Sequence, residues 1–220
     1  VVAIENQFGL RYFSSGKEEH TGVLYDGLHG YPAKHTSAMT FSRKVLRDLI
    51  EKEIGELDVL LPIPDYKLPR AVVKENLASY VNYGELVADL QSYDFGSVVK
   101  PRLHERLVYH ELGKSNLINE MSNSFFMVAG PGAKNLYQDN WLGSIYKDPR
   151  LGSPIRRNDI YVDSESRVRL ASCSNVTSSS QRVSNVPKNE QCGKLWVKGV
   201  SVHTLVSKAF CRKKYTRLNV

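Results

Sequence analysis

Ten basic side chains carry the most direct chemical message in this sequence. Arg156, Arg157, Arg167, Arg169 and Arg182 stand in strand-like and loop-like segments, while Lys208, Arg212, Lys213, Lys214 and Arg217 crowd towards position 220. Guanidinium and ammonium groups suit phosphate oxygens, which they contact without reading base sequence. Residues 1–150 hold 17 Lys or Arg and 19 Asp or Glu, a balance of −2; residues 151–220 hold 13 and 4, a balance of +9. The formal net charge of +7 therefore resides in the last third. A polyanion-binding module joined to a neutral body has this distribution. A merely solvated basic face gives the same count, so charge alone does not name the partner.

Other reactive residues give weaker patterns. His20, His29 and His35 share one loop-like region, and His104 and His110 another, but no H-E-x-x-H, G-x-S-x-G or Cys–His signature accompanies them. Cys173, Cys192 and Cys211 form no C-x-x-C pair and fit no zinc spacing. Their odd number points to free thiols in a reducing, cytoplasmic setting, with virion association left open. Neither a metal nor a cofactor is expected. The Gly-rich residues 128–134 lack the spacing of a phosphate loop, and Pro131 removes a donor that such a loop needs. Asp58 and Asp65 bracket an apolar run, a placement that holds Mg²⁺ in some nucleases, but no E-x-K segment partners them. Trp196 suits either base stacking or core packing.

The elements that must position these groups read as a mixture. Residues 1–4 and 10–13 read as short strands, with 22–25 a third candidate. A helix is expected over 41–54, with Ser42 or Thr40 as cap, Val45, Leu46, Leu49 and Ile50 as buried face, and Gly55 as stop. Residues 57–64 read as a buried strand that Pro62 and Pro64 push towards a sheet edge or bring to an end. Residues 71–93 suggest two helices broken at Asn82-Tyr83-Gly84. Residues 103–112 leave strand and helix open, 114–121 suggest a short helix capped by Ser115, and 124–129 a strand. Gly and Pro make 143–154 the expected linker. Beyond it, two β-type runs lead into a helix whose stripe is Val202, Leu205, Val206, Ala209 and Phe210, with Ser201 as cap.

Two segments of this last third, Y-V-D-S-E-S-R-V-R and V-H-T-L-V-S-K-A-F, resemble a known family. They are similar to the strand-and-turn and the helix that open phage and mobile-element HNH homing endonucleases. Glu165 and Ser166 replace the family's Asn and Gly in the turn, and Thr204 replaces the Arg after the helix His. The family's catalytic Asp-His would follow the helix, and the sequence reaches Val220 first. The resemblance therefore implies the DNA-contacting front part of such an enzyme without its nuclease centre.

The expected fold class is α+β: a neutral mixed α/β body over 1–150 and a small basic strand-strand-helix module over 151–220. The expected function is nucleic-acid binding, to DNA by the resemblance, through the ten basic residues above. Two alternatives stay open. One is a structural or assembly subunit, viral or part of a larger complex, whose basic end meets nucleic acid or an acidic partner. The other is an enzyme with its site in 1–150. No run of the sequence approaches the length of a membrane span, so no membrane partner is expected.

Overall fold

The computed structural model describes residues 1–32, 38–90, 103–147, 156–173 and 194–195. The chain forms a mixed α/β fold around an eight-stranded antiparallel sheet. The strands are β1 (Val2–Glu5), β2 (Leu57–Ile63), β3 (Ala71–Lys74), β4 (Ser124–Ala129), β5 (Trp141–Lys147), β6 (Arg156–Val162), β7 (Val168–Cys173) and β8 (Lys194–Leu195). Their order across the sheet is β1-β4-β2-β3-β5-β6-β7-β8. Among the described residues six α-helices accompany them: α1 (Leu10–Phe13), α2 (Arg43–Ile54), α3 (Leu77–Tyr80), α4 (Gly84–Asp89), α5 (Glu105–Lys114) and α6 (Ile118–Met121).

Side chains alternate across a strand with a period of two, so the register assigns each to a face. Leu57, Val59, Leu61 and Ile63 share one face of β2 and align with Val73 and Ala71 on β3 and with Met127 and Ala129 on β4. These residues, with Phe125, Leu142, Ile160 and Val168, build the core together with Leu46, Leu77, Val87, Tyr109 and Ile118 of the helical segments. Helices α2–α6 thus cover one face of the sheet, a two-layer packing that buries an apolar stripe on each side. The opposite face carries buried Leu60 and Val128 together with Asp58, Lys74, Ser144, Tyr146, Arg157, Asp159 and Tyr161, by the pairings Asp58↔Val128, Leu60↔Lys74, Val72↔Ser144, Ser144↔Asp159, Tyr146↔Arg157 and Trp141↔Tyr161.

One irregularity changes a side chain's face. β5 slips by a residue between Trp141 and Gly143 against β6. A bulge re-aims what precedes it, so Trp141 joins Ser144 on the polar face and Leu142 enters the core cluster. Gly143 is required there, because a Cβ would sit 2.7 Å from the Val72 carbonyl oxygen.

Several expectations need correction. Residues 10–13 form one helical turn instead of a strand, with Leu10 buried in the core and the Tyr12 hydroxyl donating to Glu5. Residues 71–74 are strand, not helix; the β-branched pair Val72-Val73 suits the pleat. β2 lies inside the sheet, not at its edge, and of the two expected effects of the prolines it shows the other, ending at Ile63 before Pro64. Its ladder with β4 ends at Leu60↔Phe126, so at Pro62 the missing N–H breaks no bond on that flank. Residues 143–147 belong to β5, which pairs with β6 from Trp141↔Tyr161 to Lys147↔Arg156. The boundary at 150 and the helix over 202–210 lie outside the described residues.

Helix α2 keeps its expected span, with Ser42 accepting from the Val45 N–H and Gly55 at the C-cap. Its buried face is narrower than the sequence suggests: Leu46 is 8% exposed, whereas Val45 and Leu49 are 45% and 55% exposed. Ion pairs orient the helix instead. Arg43 and Arg47 both engage Glu75, just past β3, and Arg47 lies 2.6 Å from it. Leu61→Ala at the centre of β2 is expected to cost about 2–5 kcal/mol. Leu49→Ala on α2 is expected to change stability by less than about 0.5 kcal/mol. Urea unfolding of both variants checks this, and equal losses would contradict the packing described.

Candidate functional site

The β6–β7 hairpin holds three of the ten predicted phosphate-binding residues with their side chains described, and each has a carboxylate partner. Arg157 Nη2 donates to Asp159 Oδ2 at 3.0 Å, and Asp159 is fully buried. Arg167 Nε and Arg169 Nε both donate to Asp163 Oδ2, at 3.1 and 2.8 Å. Arg167 also pairs with Glu165 at 2.5 Å. Asp163 Oδ1 accepts from the backbone N–H groups of Glu165 and Arg167, which closes the turn. Burial opposes ionisation of Asp163, yet Arg169 and Arg167 hold its carboxyl below the usual carboxylate range. Ser166 takes the left-handed backbone, φ 59°, at the position where the resembled family has Gly. Arg156 lies in β6, and its side chain is not described. Arg182, Lys208, Arg212, Lys213, Lys214 and Arg217 lie outside the described residues, as do Trp196, Cys192 and Cys211.

The Gly-rich loop already holds an anion of the protein's own. Gly132 N–H and Lys134 N–H donate to the two carboxylate oxygens of Glu56, at 2.7 and 3.3 Å, and Gly130 N–H donates to the Glu56 carbonyl. The left-handed Gly130 and Gly132 aim these donors inward. The loop is therefore closed to an external phosphate while Glu56 stays in place. Asp58 and Asp65 stand at opposite ends of β2, roughly 20 Å apart at strand rise, too far to share an ion. Asp65 instead accepts from the N–H groups of Lys67 and Leu68. Among the described residues no three His, Cys, Asp or Glu side chains are grouped to hold a metal.

Two polar clusters that motif reading passed over occupy the two ends of the polar face. At one end, buried Glu5 accepts from Tyr12 Oη at 2.7 Å and from Lys67 Nζ at 3.1 Å, with Arg11 Nη1 at 3.5 Å. Glu19 pairs with the same Lys67 and Arg11. Two cations and two carboxylates thus neutralise one another. Burial and the Glu5 charge push the Tyr12 hydroxyl far above its ordinary value, so it stays a neutral donor. This is an ion network that ties α1 and the loop after it to β1 and to the turn after β2.

At the other end, Tyr137 stacks on Trp141 with centroids 4.5 Å apart and planes 18° apart. Trp141 is buried and fixed: its Nε1–H donates to Ser144 Oγ at 3.2 Å, and Ser144 Oγ donates to Asp159 Oδ1 at 2.6 Å. Lys74 Nζ lies 5.7 Å from the Tyr137 centroid and 5.8 Å from that of Trp141. The β5 bulge and strand alternation bring these residues together; neither forms a linear motif. The cavity bounded by Leu61, Tyr83, Tyr109 and Asn123 on the core side, about 10 Å³, is large enough for one water and no larger ligand. No helix among the described residues is long and apolar enough to cross a membrane.

No protein-family description, curated protein or solved structure matches this chain.

The ion network predicts an acid response. Burial would raise the Glu19 carboxyl, but hydrogen bonds from Lys67 and Arg11 bring it down to about 2. A folded-state value below the unfolded one contributes stability that is complete above the ordinary carboxylate value and is lost as pH falls through the folded value. Stability is therefore expected to drop between about pH 4.5 and pH 2, and Glu19→Gln is expected to flatten that part of the curve. An unchanged profile in the variant, followed by denaturant titration at each pH, would contradict the network.

Proposed function

We propose that the protein binds nucleic acid, with DNA as the preferred form, through the basic part of the chain that follows β7. The observation that carries this reading is where positive charge is left uncompensated. Residues 156–173 hold four Arg against three Asp or Glu, a balance of +1, and three of those Arg are paired with Asp159 or Asp163. Residues 174–220 hold nine Lys or Arg against one Glu, a balance of +8. A partner rich in negative charge answers that imbalance, and a phosphate backbone is the polyanion whose binding scales with counterion release. The resemblance of the same region to the opening module of HNH homing endonucleases supports DNA over other polyanions.

In this reading nine of the ten basic residues divide, Arg156 having no described side chain. Arg157, Arg167 and Arg169 support the hairpin, because breaking their pairs to contact phosphate would strand buried or half-buried carboxylates. Arg182, Lys208, Arg212, Lys213, Lys214 and Arg217 supply the phosphate contacts. Such contacts fix position on a nucleic acid and carry little sequence information.

Salt dependence tests the division. Neutralising about 4–6 phosphates gives a slope of log K against log salt of roughly −4 to −5. Replacing Arg212, Lys213 and Lys214 together by Ala is expected to make the slope shallower by about 2–3. Arg167→Ala is expected to leave the slope unchanged. The reverse pattern would return the contact surface to the hairpin. Absence of salt-sensitive binding by the wild-type chain would favour an assembly subunit.

A further inference from the structure

We propose that the Tyr137–Trp141 stack, with Lys74, Lys134 and Asp58 around it, is a stacking site for a nucleotide of single-stranded nucleic acid. The proposal rests on the nucleic-acid reading above and extends it from phosphates to bases.

The site is assembled from three adjacent strands at one end of the polar face. Asp58 begins β2, Lys74 ends β3, and Trp141 begins β5, with Tyr137 just before it. Lys74 Nζ is almost equidistant from the two ring centroids. A cation over the outer face of Tyr137 would be far closer to Tyr137 than to Trp141. The ammonium therefore sits beside the stack and not over the outer face of Tyr137. Tyr137 is partly exposed, whereas Trp141 is buried beneath it. The Trp141–Ser144–Asp159 chain holds the lower ring, so a third ring would meet a platform that is already rigid.

The polar groups around the stack define the guest. Arg11, Arg43, Arg47, Lys67, Arg157, Arg167 and Arg169 all have carboxylate partners. Among the described residues neither Lys74 nor Lys134 has one within ion-pair distance, and both lie close enough to act on the Asp58 carboxyl. Asp58 Oδ2 is buried and accepts no hydrogen bond. Burial raises this carboxyl, as befits a desolvated acceptor. A guest that satisfies all three has a flat π face, a negative charge for the two lysines and an N–H donor for Asp58. A nucleotide has each of these. The two ammonium groups exclude the quaternary-ammonium guests that aromatic cages otherwise take. In a duplex the base faces are occupied by neighbouring bases, so the guest is a single strand. Stacking accepts every base and so gives little sequence preference.

The test compares single-strand and duplex binding of the full chain at several salt concentrations, with a fluorescein-labelled oligothymidylate and a duplex of equal length. Tyr137→Ala is expected to weaken single-strand binding roughly 5- to 150-fold, the range spanned by one lost base–aromatic stack. Its salt slope and its duplex affinity are expected to stay unchanged. Tyr137→Phe, which keeps the ring, is expected to bind like the wild type; a loss equal to that of Tyr137→Ala would overturn stacking. Lys74→Met is expected to make the single-strand slope shallower by about 0.7, one contact's share. If Tyr137→Ala does not fold, Lys74→Met and the surface change Lys134→Ser decide, and unchanged single-strand affinity in both overturns the site. Loss of binding in the Arg212/Lys213/Lys214 triple variant, with Tyr137→Ala unaffected, would overturn the stacking site and leave the phosphate-binding reading standing. No binding by the wild type would overturn both.

Discussion

Side-chain alternation along β2, β3, β5 and β6 decides what each face of this protein can do. Leu57, Val59, Leu61, Ile63, Val73 and Ile160 fall on one side and are 3% exposed or less. Helices close over that side, where the cavity lined by the described residues Leu61, Tyr83, Tyr109 and Asn123 holds about one water. The same two-residue period sends Asp58, Lys74, Ser144 and Asp159 to the other side. A slip of one residue would exchange the two sets and bury the charges in the helix interface, at a cost of several kcal/mol for each unpaired ion. The bulge at Trp141–Gly143 is the place where the period is broken, and it delivers Trp141 to the polar side.

Charge pairing is the second organising fact. Asp159 and Asp163 each hold arginine, Glu5 and Glu19 share Arg11 and Lys67, and Glu75 holds Arg43 and Arg47. Exposed pairs of this kind add little stability, but buried carboxylates such as Asp159 and Glu5 require their partners. A formally basic hairpin is thus close to neutral. Counting arginines overstates its attraction for phosphate, and attention shifts to the lysines that lack such partners and to the +8 balance beyond β7.

The sequence showed helix α2, the buried run of β2 and strand β4, because each is bounded by a cap, a Gly or a Pro. It did not show which part of a wide apolar stripe docks. Val45 and Leu49 fit the helical face as well as Leu46 does, and only the position of Glu75 settles the rotation. Residues 71–74 are too short for periodicity to separate strand from helix, although Val72-Val73 already leaned to strand. Residues 10–13 followed a tertiary demand, the Tyr12 bond to Glu5, over local pattern. The proposed stacking site was illegible for a different reason. Tyr137, Trp141, Lys74 and Asp58 are brought together by strand order β2-β3-β5 and by a bulge, neither of which a linear motif encodes. Aspartates that silence Arg157, Arg167 and Arg169 were visible beside them, and the two- and four-residue spacings to Asp159 and Asp163 were a signal that charge counting passed over.

We propose that nucleic acid meets the polar end of the sheet and the basic segment after β7, with the arginine-bearing hairpin as scaffold. Photo-crosslinking of the full chain to a single strand carrying 5-iodouracil, followed by peptide mass spectrometry, reads the contacts directly. The account predicts crosslinks at Tyr137 and within residues 174–220, with none on β6 or β7. Crosslinks confined to the β6–β7 hairpin would contradict it.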